Sequence, residues 1–460
     1  MTKFAPGPNN LWEIIKTVYK RQTDPMKFYH DTFSQFGDIA YIRIGKQGFL
    51  MLNDADAIEQ VLQTDAKIYT KSTAYERFKL IFGKGLLVSE GDLWKRQRRL
   101  MAGAFTSRSV EKIHPLIIEE TKSMMSKWED SSEIDLAEEM NFITLQIITK
   151  SMLGELEESE SKIVRSAVQE MLKYLQTNRH LWLQLFLNLL PIKDKLAMAL
   201  KIETSLPLKS TKRFFKSIEA VDELVNRMIE KRRKQNLNES LIDMLIKVTD
   251  DDQSVMTNQQ LRDEVMNILI AGHETTSNAL SWTFHQLLKY PDVLKKVEVE
   301  ITQFIKGETP TYEELSKLPY TQAMFLESMR LYPPFWRISR RATENTTIQG
   351  YEVPAGTNVI ASIFTVQRSG KYWKDPTEFR PERFLEGAEE HHRFAFIPFG
   401  GGPRICIGAN MAMTEAITIL ASCLKNFTLT KNFYKDPNFL LSLTMQPKEG
   451  CKVKTQRKKL

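Results

Sequence analysis

The feature that most constrains this 460-residue chain is a short stretch near its C-terminal end. Phe399-Gly400-Gly401-Gly402-Pro403-Arg404-Ile405-Cys406-Ile407-Gly408 sets one cysteine among glycines. Glycine reaches backbone angles closed to other residues, so three in a row permit a tight loop. Gly408 lets the backbone pass close to something flat and bulky. Ala409, Met411, Ala412 and Ala416 then begin a helix. A cysteine beside a helix N-terminus is favoured as thiolate, and loop N–H groups can donate to its sulfur. The stretch favours a thiolate at Cys406; a glycine-rich turn around a buried structural cysteine is the alternative.

The remaining cysteines, Cys423 and Cys451, have no such context. An odd count without zinc spacing argues against a disulfide framework and for a reducing compartment. The net charge of +7 is mild, and no basic run is interleaved with stacking aromatics, which argues against nucleic acid. A basic face for an acidic protein partner fits as well. No apolar segment follows Met1-Thr2-Lys3, so no secretory signal is expected. Leu181 to Ile192 is apolar but is interrupted by Gln184 and Asn188 and closed by Pro191. It is too short and polar to span a bilayer. It reads as a buried helix, with contact to a membrane surface as the other reading.

The chain reads as one domain over 1–460, mainly α with a small β-rich part, an α+β architecture. The β-rich part is expected near 36–54, 333–365 and the C-terminal region. Asp38 to Gly45 alternates, and Phe49-Leu50-Met51-Leu52 follows Gly48, which predicts a hairpin. From Ala55 to Pro319 the period is helical. Thr211 to Lys234 is amphipathic, with Phe214, Phe215, Ile218, Val221, Leu224, Val225, Met228 and Ile229 on the expected apolar stripe. Leu261 to Tyr290 is apolar around much of its circumference and reads as a buried central helix ended by Pro291. Short extended runs such as Asn358-Val359-Ile360-Ala361 follow, and Phe379 to Phe399 is expected to be irregular.

Ala271-Gly272-His273-Glu274-Thr275-Thr276 interrupts the central helix. A Thr275 hydroxyl bonded back to the Ala271 carbonyl would loosen the helix, and Gly272 removes bulk. An acid beside an alcohol can relay protons through water. Taken alone, the segment is no more than a polar kink. Glu327 and Arg330 stand at i and i+3 on one helix face, ahead of Leu331-Tyr332-Pro333-Pro334. Phe379-Arg380-Pro381-Glu382-Arg383-Phe384 follows some fifty residues on. Trp94 and Arg98 lie one helical turn apart in a basic segment.

Together these segments resemble the cytochromes P450. Residues 399–408 match the family's haem-binding signature at every fixed position; the others resemble its acid–alcohol, E-x-x-R, P-E-R-F and W-x-x-x-R motifs, in order. The resemblance implies non-covalent haem b with Cys406 as axial ligand. Phe399 would shield the sulfur, and Gly400, Gly408, Ala271 and Gly272 would border the cofactor. Arg404, Trp94, Arg98 and Arg340 would serve the propionates, with Arg341 as an alternative to Arg340. Glu327, Arg330 and Arg383 would form a buried network that locks the cysteine loop. Glu274 and Thr275 would be the catalytic acid and alcohol. His273 occupies a variable position and is expected to face away. Ala271 stands where some fatty-acid-hydroxylating members carry a glutamate that binds haem covalently.

The implied activity is insertion of one oxygen atom from O2 into a hydrophobic substrate. A fatty acid, terpenoid or steroid is expected, in that order. Residues 69–87, Leu181 to Leu190, Phe335, Trp336, Ile338 and Ser442 to Thr444, with Leu443 between, are the candidate walls. Ser205-Leu206-Pro207-Leu208 also resembles members that oxidise fatty acids and alkanes. The resemblance suggests a soluble, cytoplasmic, bacterial-type monomer without a transmembrane segment or fused reductase. Electrons would come from a ferredoxin, flavodoxin or reductase, with Lys95, Arg96 and Arg99 forming part of the docking face. Two other readings are a peroxide-driven peroxygenase, against which Glu274 and Thr275 argue, and a non-catalytic haem or gas-binding protein.

Overall fold

The computed structural model describes residues 3–8, 13, 24–176, 209–235, 240–249, 254–433 and 437–459. The expectations for Leu181 to Ile192 and for Ser205 to Leu208 fall outside these residues. The longer helices are α1 (Pro25–Phe36), α2 (Gly91–Ala102), α3 (Ser107–Met125), α4 (Leu136–Leu153), α5 (Glu158–Gln176), α6 (Lys209–Gln235), α7 (Asn258–Lys289), α8 (Pro291–Phe304), α9 (Pro319–Leu331) and α10 (Ala409–Asn426). The strands are β1 (Ile39–Ile44), β2 (Gln47–Leu52), β3 (Tyr69–Lys71), β4 (Glu133–Asp135), β5 (Arg337–Ala342), β6 (Thr346–Ile348), β7 (Tyr351–Val353), β8 (Asn358–Ser362), β9 (Phe427–Lys431), β10 (Phe439–Leu441), β11 (Met445–Pro447) and β12 (Lys452–Arg457).

The helix α7 is the axis of the helical part. Thr257 opens it with a capping box: its hydroxyl accepts from the Gln260 N–H while Gln260 reaches back to the Thr257 N–H. Residues from Leu261 to Leu287 are buried on nearly every face, as a helix apolar all round requires. It packs against α4, α6, α9 and α10. Pro291 occupies the first turn of α8, so the chain breaks direction where the sequence predicts.

The helix α6 buries Phe214, Ile218, Val221, Leu224, Val225, Met228 and Ile229. Phe215 departs from the expected stripe and is 38% exposed. Adjacent residues on a helix point about 100° apart, so Phe214 and Phe215 cannot both face the core.

The largest sheet has the order β1-β2-β8-β5-β3. β1 and β2 form the expected hairpin, with Ile39 opposite Leu52 and Ile44 opposite Gln47. β8 runs parallel to β2, and β5 is antiparallel to both β8 and β3. This sheet carries Lys71 on β3 and Arg340 on β5 as facing partners, which brings two cations to one edge of the helical part. Between Phe379 and Phe399 only two short 3-10 turns form, at Pro381–Phe384 and Arg393–Ala395.

Candidate active site

A cavity of about 260 Å³ lies between α7, α9, α10, the edge of the large sheet and the 397–408 loop. Cys406 lines it. The loop that presents the sulfur is glycine-built for steric reasons. Gly402 has φ +67°, and a Cβ there would sit 1.8 Å from the Leu62 carbonyl oxygen. A Cβ on Gly401 would strike the Phe394 ring at 2.6 Å, and Gly400 has φ +76°. Gly408 would meet nothing within 4 Å, so its missing side chain leaves room on the cavity side. The Cys406 N–H donates to the Phe399 carbonyl at 2.9 Å, which closes the loop.

The accessible surface of Cys406 faces the cavity, and protein encloses the thiol on its other sides. Burial pushes its pKa up; the Gly408 N–H and the nearby Arg98 charge pull against that. The thiol is thus a cavity-facing group with two features that favour its anion, the condition for a ligand that ionises when metal binds. Among the described residues no set of three or more His, Cys, Asp or Glu could hold a metal. One sulfur cannot enclose an ion, so a metal held by Cys406 would take its other ligands from elsewhere.

Cations crowd one end of this cavity. Lys71, Arg340 and Arg404 all line it. Burial drives the Lys71 pKa well down, followed by Arg340 and then Arg404; Glu90 opposes. Glu90 receives the Lys71 backbone N–H at 2.6 Å and is paired with Arg404. Arg340 is 7% exposed, and among the described residues its guanidinium donates to the Ser339 carbonyl beside it. Arg341, on the opposite face of the same strand, is exposed. Trp94 and Arg98 come from α2: the Arg404 guanidinium lies 4.3 Å from the Trp94 ring centroid, and the Arg98 charge acts on Cys406. Three cations lining the cavity, with Glu90 the one carboxylate paired to them among the described residues, fit a dianionic guest. A cavity-facing thiol and this cationic end together fit haem.

Glu327, on α9, is fully buried and clamps Arg330 through two bonds, Nε–Oε2 at 2.7 Å and Nη2–Oε1 at 2.9 Å. Arg383 donates to the same carboxylate at 3.3 Å, and so does the Arg380 N–H at 2.8 Å. Arg330 also donates to the carbonyls of Gln367, Pro376 and Glu378. Gln367, which no motif flags, carries this order to the site. Its amide donates to the Met329 and Arg330 carbonyls, and its own oxygen accepts the Ile397 N–H at 3.0 Å, just ahead of the cysteine loop.

On α7, Ala271, Gly272, Thr275 and Thr276 line the cavity. The Thr275 hydroxyl donates to the Ala271 carbonyl at 2.7 Å, the back-bond that the sequence suggests. Gly272 also faces α4: a Cβ there would lie 3.0 Å from the Ile148 Cδ1. Glu274 is turned away from the cavity. Its Oε1 accepts from Thr444 Oγ1 at 2.8 Å and from Gln446, while Oε2 is buried without a partner among the described residues. Burial raises its pKa, opposed by those two bonds. His273 also lies off the cavity, its Nε2 3.1 Å from the Asn141 carbonyl; burial pulls its pKa down to about 4.

Phe335 and Ile338 line the cavity; Trp336 and Leu443 do not. The bend at Pro334 and Phe335 turns Trp336 into a separate cluster against Tyr29, with its N–H on the Ser442 carbonyl. Leu443 sits beside Thr444, whose hydroxyl is held by Asn278 and Glu274. Of the expected docking residues, Lys95 is exposed beside Asp92, and Arg96 bonds to Ser254.

Residues 5–454 match the sequence profile of the family described as Cytochrome P450. The chain belongs to the cytochrome P450 family. Among curated proteins, this P450 is 27% identical to Cyclooctat-9-en-7-ol 5-monooxygenase of Streptomyces melanosporofaciens, over 93% of this chain and 89% of that one. It is 29% identical to Protein LUTEIN DEFICIENT 5, chloroplastic, of Arabidopsis thaliana, over 86% and 68%. It is 28% identical to Cytochrome P450 4V2 of Homo sapiens, over 90% and 81%. The crystal structure of the cytochrome P450DA heme domain superposes with a TM-score of 0.85 at 22% identity, covering 100% and 99%. The P450 is therefore a haem-thiolate monooxygenase with non-covalent haem b. It uses O2, an organic substrate and a redox partner. Among the described residues no helix is long and apolar enough to cross a membrane.

Proposed function

We propose that this P450 hydroxylates or epoxidises a hydrophobic substrate, a fatty acid, terpenoid or steroid-like molecule, in the cavity beneath α7. The observation that carries this reading is the cavity wall. Leu86, Leu87, Phe105, Ile268, Phe335 and Ile338 are apolar, and they share the cavity with Cys406 and Thr275. Such a wall binds by burying apolar surface and orients through few polar groups. The relative named Cyclooctat-9-en-7-ol 5-monooxygenase acts, by that name, on an alcohol, which supports a largely hydrocarbon substrate that carries few polar groups.

When bound, haem would supply the dioxygen-activating chemistry, tuned by the thiolate that holds it. The chain's residues do the rest. Cys406 would supply the thiolate that holds the haem iron, with Phe399 beside it and Gly400 and Gly408 leaving room. Ala271 and Gly272 would border the haem from α7. Arg340, Arg404, Arg98 and Trp94 hold the propionates, joined by Lys71. Glu327, Arg330 and Arg383 keep the loop in place through Gln367. Thr275 presents the hydroxyl that passes protons; Glu274, next to it in the chain but turned toward Thr444 and Gln446, is the acid behind it. Insertion of one oxygen atom consumes two electrons and two protons and releases the other atom as water. A ferredoxin, flavodoxin or reductase delivers the electrons at the α2 face near Lys95, to a monomeric haem domain.

A titration of the ferric protein with dodecanoic acid, a cyclic diterpene alcohol and a sterol tests the substrate class. A spin-state shift with at least one of them is expected. Shifts only with small polar ligands would contradict the reading.

A further inference from the structure

The carboxylate at the cationic end of the cavity is not used as its place in the fold suggests. Glu90 stands at the N-cap of α2, where an acidic side chain is ordinarily stabilised by the free N–H groups of the first turn. Its side chain makes no bond to them. It turns instead to two distant segments: one oxygen accepts the Lys71 backbone N–H at 2.6 Å, and the other is paired with Arg404. Arg404 is thereby drawn to the start of α2, where it also donates to the Ser89 carbonyl at 3.1 Å and lies over the Trp94 ring. Arg404 lines the cavity as well. A guanidinium offers more N–H groups than the Ser89 and Glu90 contacts use, so Arg404 can serve a further acceptor. Burial lowers the Arg404 pKa; the Glu90 charge opposes this and the Arg340 charge adds to it. Glu90 thus takes up part of the positive charge that a propionate at this end would use. Its side chain is 33% exposed against 13% for Arg404, so Glu90 can yield to an incoming anion by turning into water while Arg404 stays.

We propose that Glu90 shares Arg404 with a haem propionate, and that this sharing weakens haem binding and lowers the potential at which the iron is reduced. A carboxylate beside Arg404 repels a propionate and neutralises part of the charge that attracts it. The same negative charge disfavours the electron that reduction adds. Glu90 does not line the cavity, so it acts through Arg404, as a positioning residue. The inference rests on the reading of Arg404 as a propionate partner.

The test compares the haem-loaded protein with Glu90→Gln, Glu90→Asp and Arg404→Met. Glutamine keeps an oxygen for the Lys71 N–H, so Glu90→Gln removes the charge and spares that bond. The readouts are haem transfer to apomyoglobin and a spectroelectrochemical titration of the iron. Glu90→Gln should slow the transfer about fivefold, the upper end for a partly exposed ion pair, and should raise the reduction potential. A residue that only braces the loop gives the opposite sign, because losing a brace speeds haem loss. Transfer that is faster or unchanged in Glu90→Gln, or a potential that is not raised, would overturn the proposal. If Glu90→Gln does not fold, Glu90→Asp carries the test. Its carboxylate stops one methylene short of Arg404, so transfer must slow in the same direction, and transfer that is not slower overturns the proposal. Arg404→Met tests the underlying reading separately: it should speed haem transfer, and an unchanged rate there would overturn Arg404 as a propionate partner. Faster transfer in Arg404→Met with no slowing in Glu90→Gln would overturn the Glu90 proposal alone.

Discussion

Glu327 and Arg330 meet with both side chains fully buried, in a two-point clamp one helical turn apart on α9. Every other donor on Arg330 reaches a carbonyl of the 367–378 segment. Removing one partner strands a buried charge. Glu327→Ala should therefore cost about 3–5 kcal/mol of stability. It should also lower haem content, because the order that Gln367 passes to Ile397 is lost. Thermal denaturation and the haem-to-protein absorbance ratio measure the two effects. Gln367→Ala should lower haem retention with a smaller stability loss, since it breaks bonds without stranding a charge.

Gly402→Ala should be more disruptive than its size suggests. The left-handed backbone at Gly402 costs an alanine about 1–2 kcal/mol, before any clash. The new methyl would also collide with the backbone carbonyl of Leu62, which cannot rotate aside. The expected outcome is a folded protein with most of its haem binding lost, read by absorbance after reconstitution. Gly408→Ala meets no atom of the protein, so any haem loss there would come from crowding of the cofactor itself.

The buried cations make a prediction with opposite signs for two states. Lys71 is held near Arg340 and Arg404, whose charges repel it. Lys71→Met should raise the melting temperature of haem-free protein by relieving this repulsion. It should lower haem affinity by about 1.5–3 kcal/mol, the worth of one hydrogen bond to a charged group. Parallel melting curves and haem transfer to apomyoglobin separate the two.

The pH dependence of stability follows from buried groups on α7. Glu264 receives the Leu86 N–H, and burial raises its pKa to about 8. From about pH 4.5 to 8 the folded state holds this proton more tightly than the unfolded chain, so stability falls as pH rises. His273, with its pKa pulled down to about 4, acts oppositely: its contribution is lost as pH falls from about 6.5 to 4. Glu274 and Glu415 act in the direction of Glu264. Denaturant unfolding between pH 6.5 and 8 isolates the carboxyl effect. Glu264→Gln keeps an acceptor for Leu86 and should flatten the decline by a few kcal/mol at most.

The parts of the site carried by local residue patterns were legible in the sequence. The glycines around Cys406 announce a loop that no other residues could form, and α7 declares its burial through apolar residues on all faces. The back-bond from Thr275 to Ala271 follows from residue type and spacing. What was not legible depends on distant chain segments meeting. Lys71 gains meaning only because β3 pairs with β5 opposite Arg340. Gln367 is an unremarkable amide until three segments fold around it. The direction of the Glu274 side chain is set by Thr444 and Gln446, some 170 residues away.

The central claim is that Cys406 ligates haem iron as a thiolate. The direct measurement is the carbon monoxide difference spectrum of the reduced, haem-loaded protein, beside Cys406→Ser. A red-shifted Soret band that disappears in Cys406→Ser is the result this site predicts. An imidazole-type spectrum in the unmodified protein, or a thiolate-type band that survives in Cys406→Ser, would contradict it.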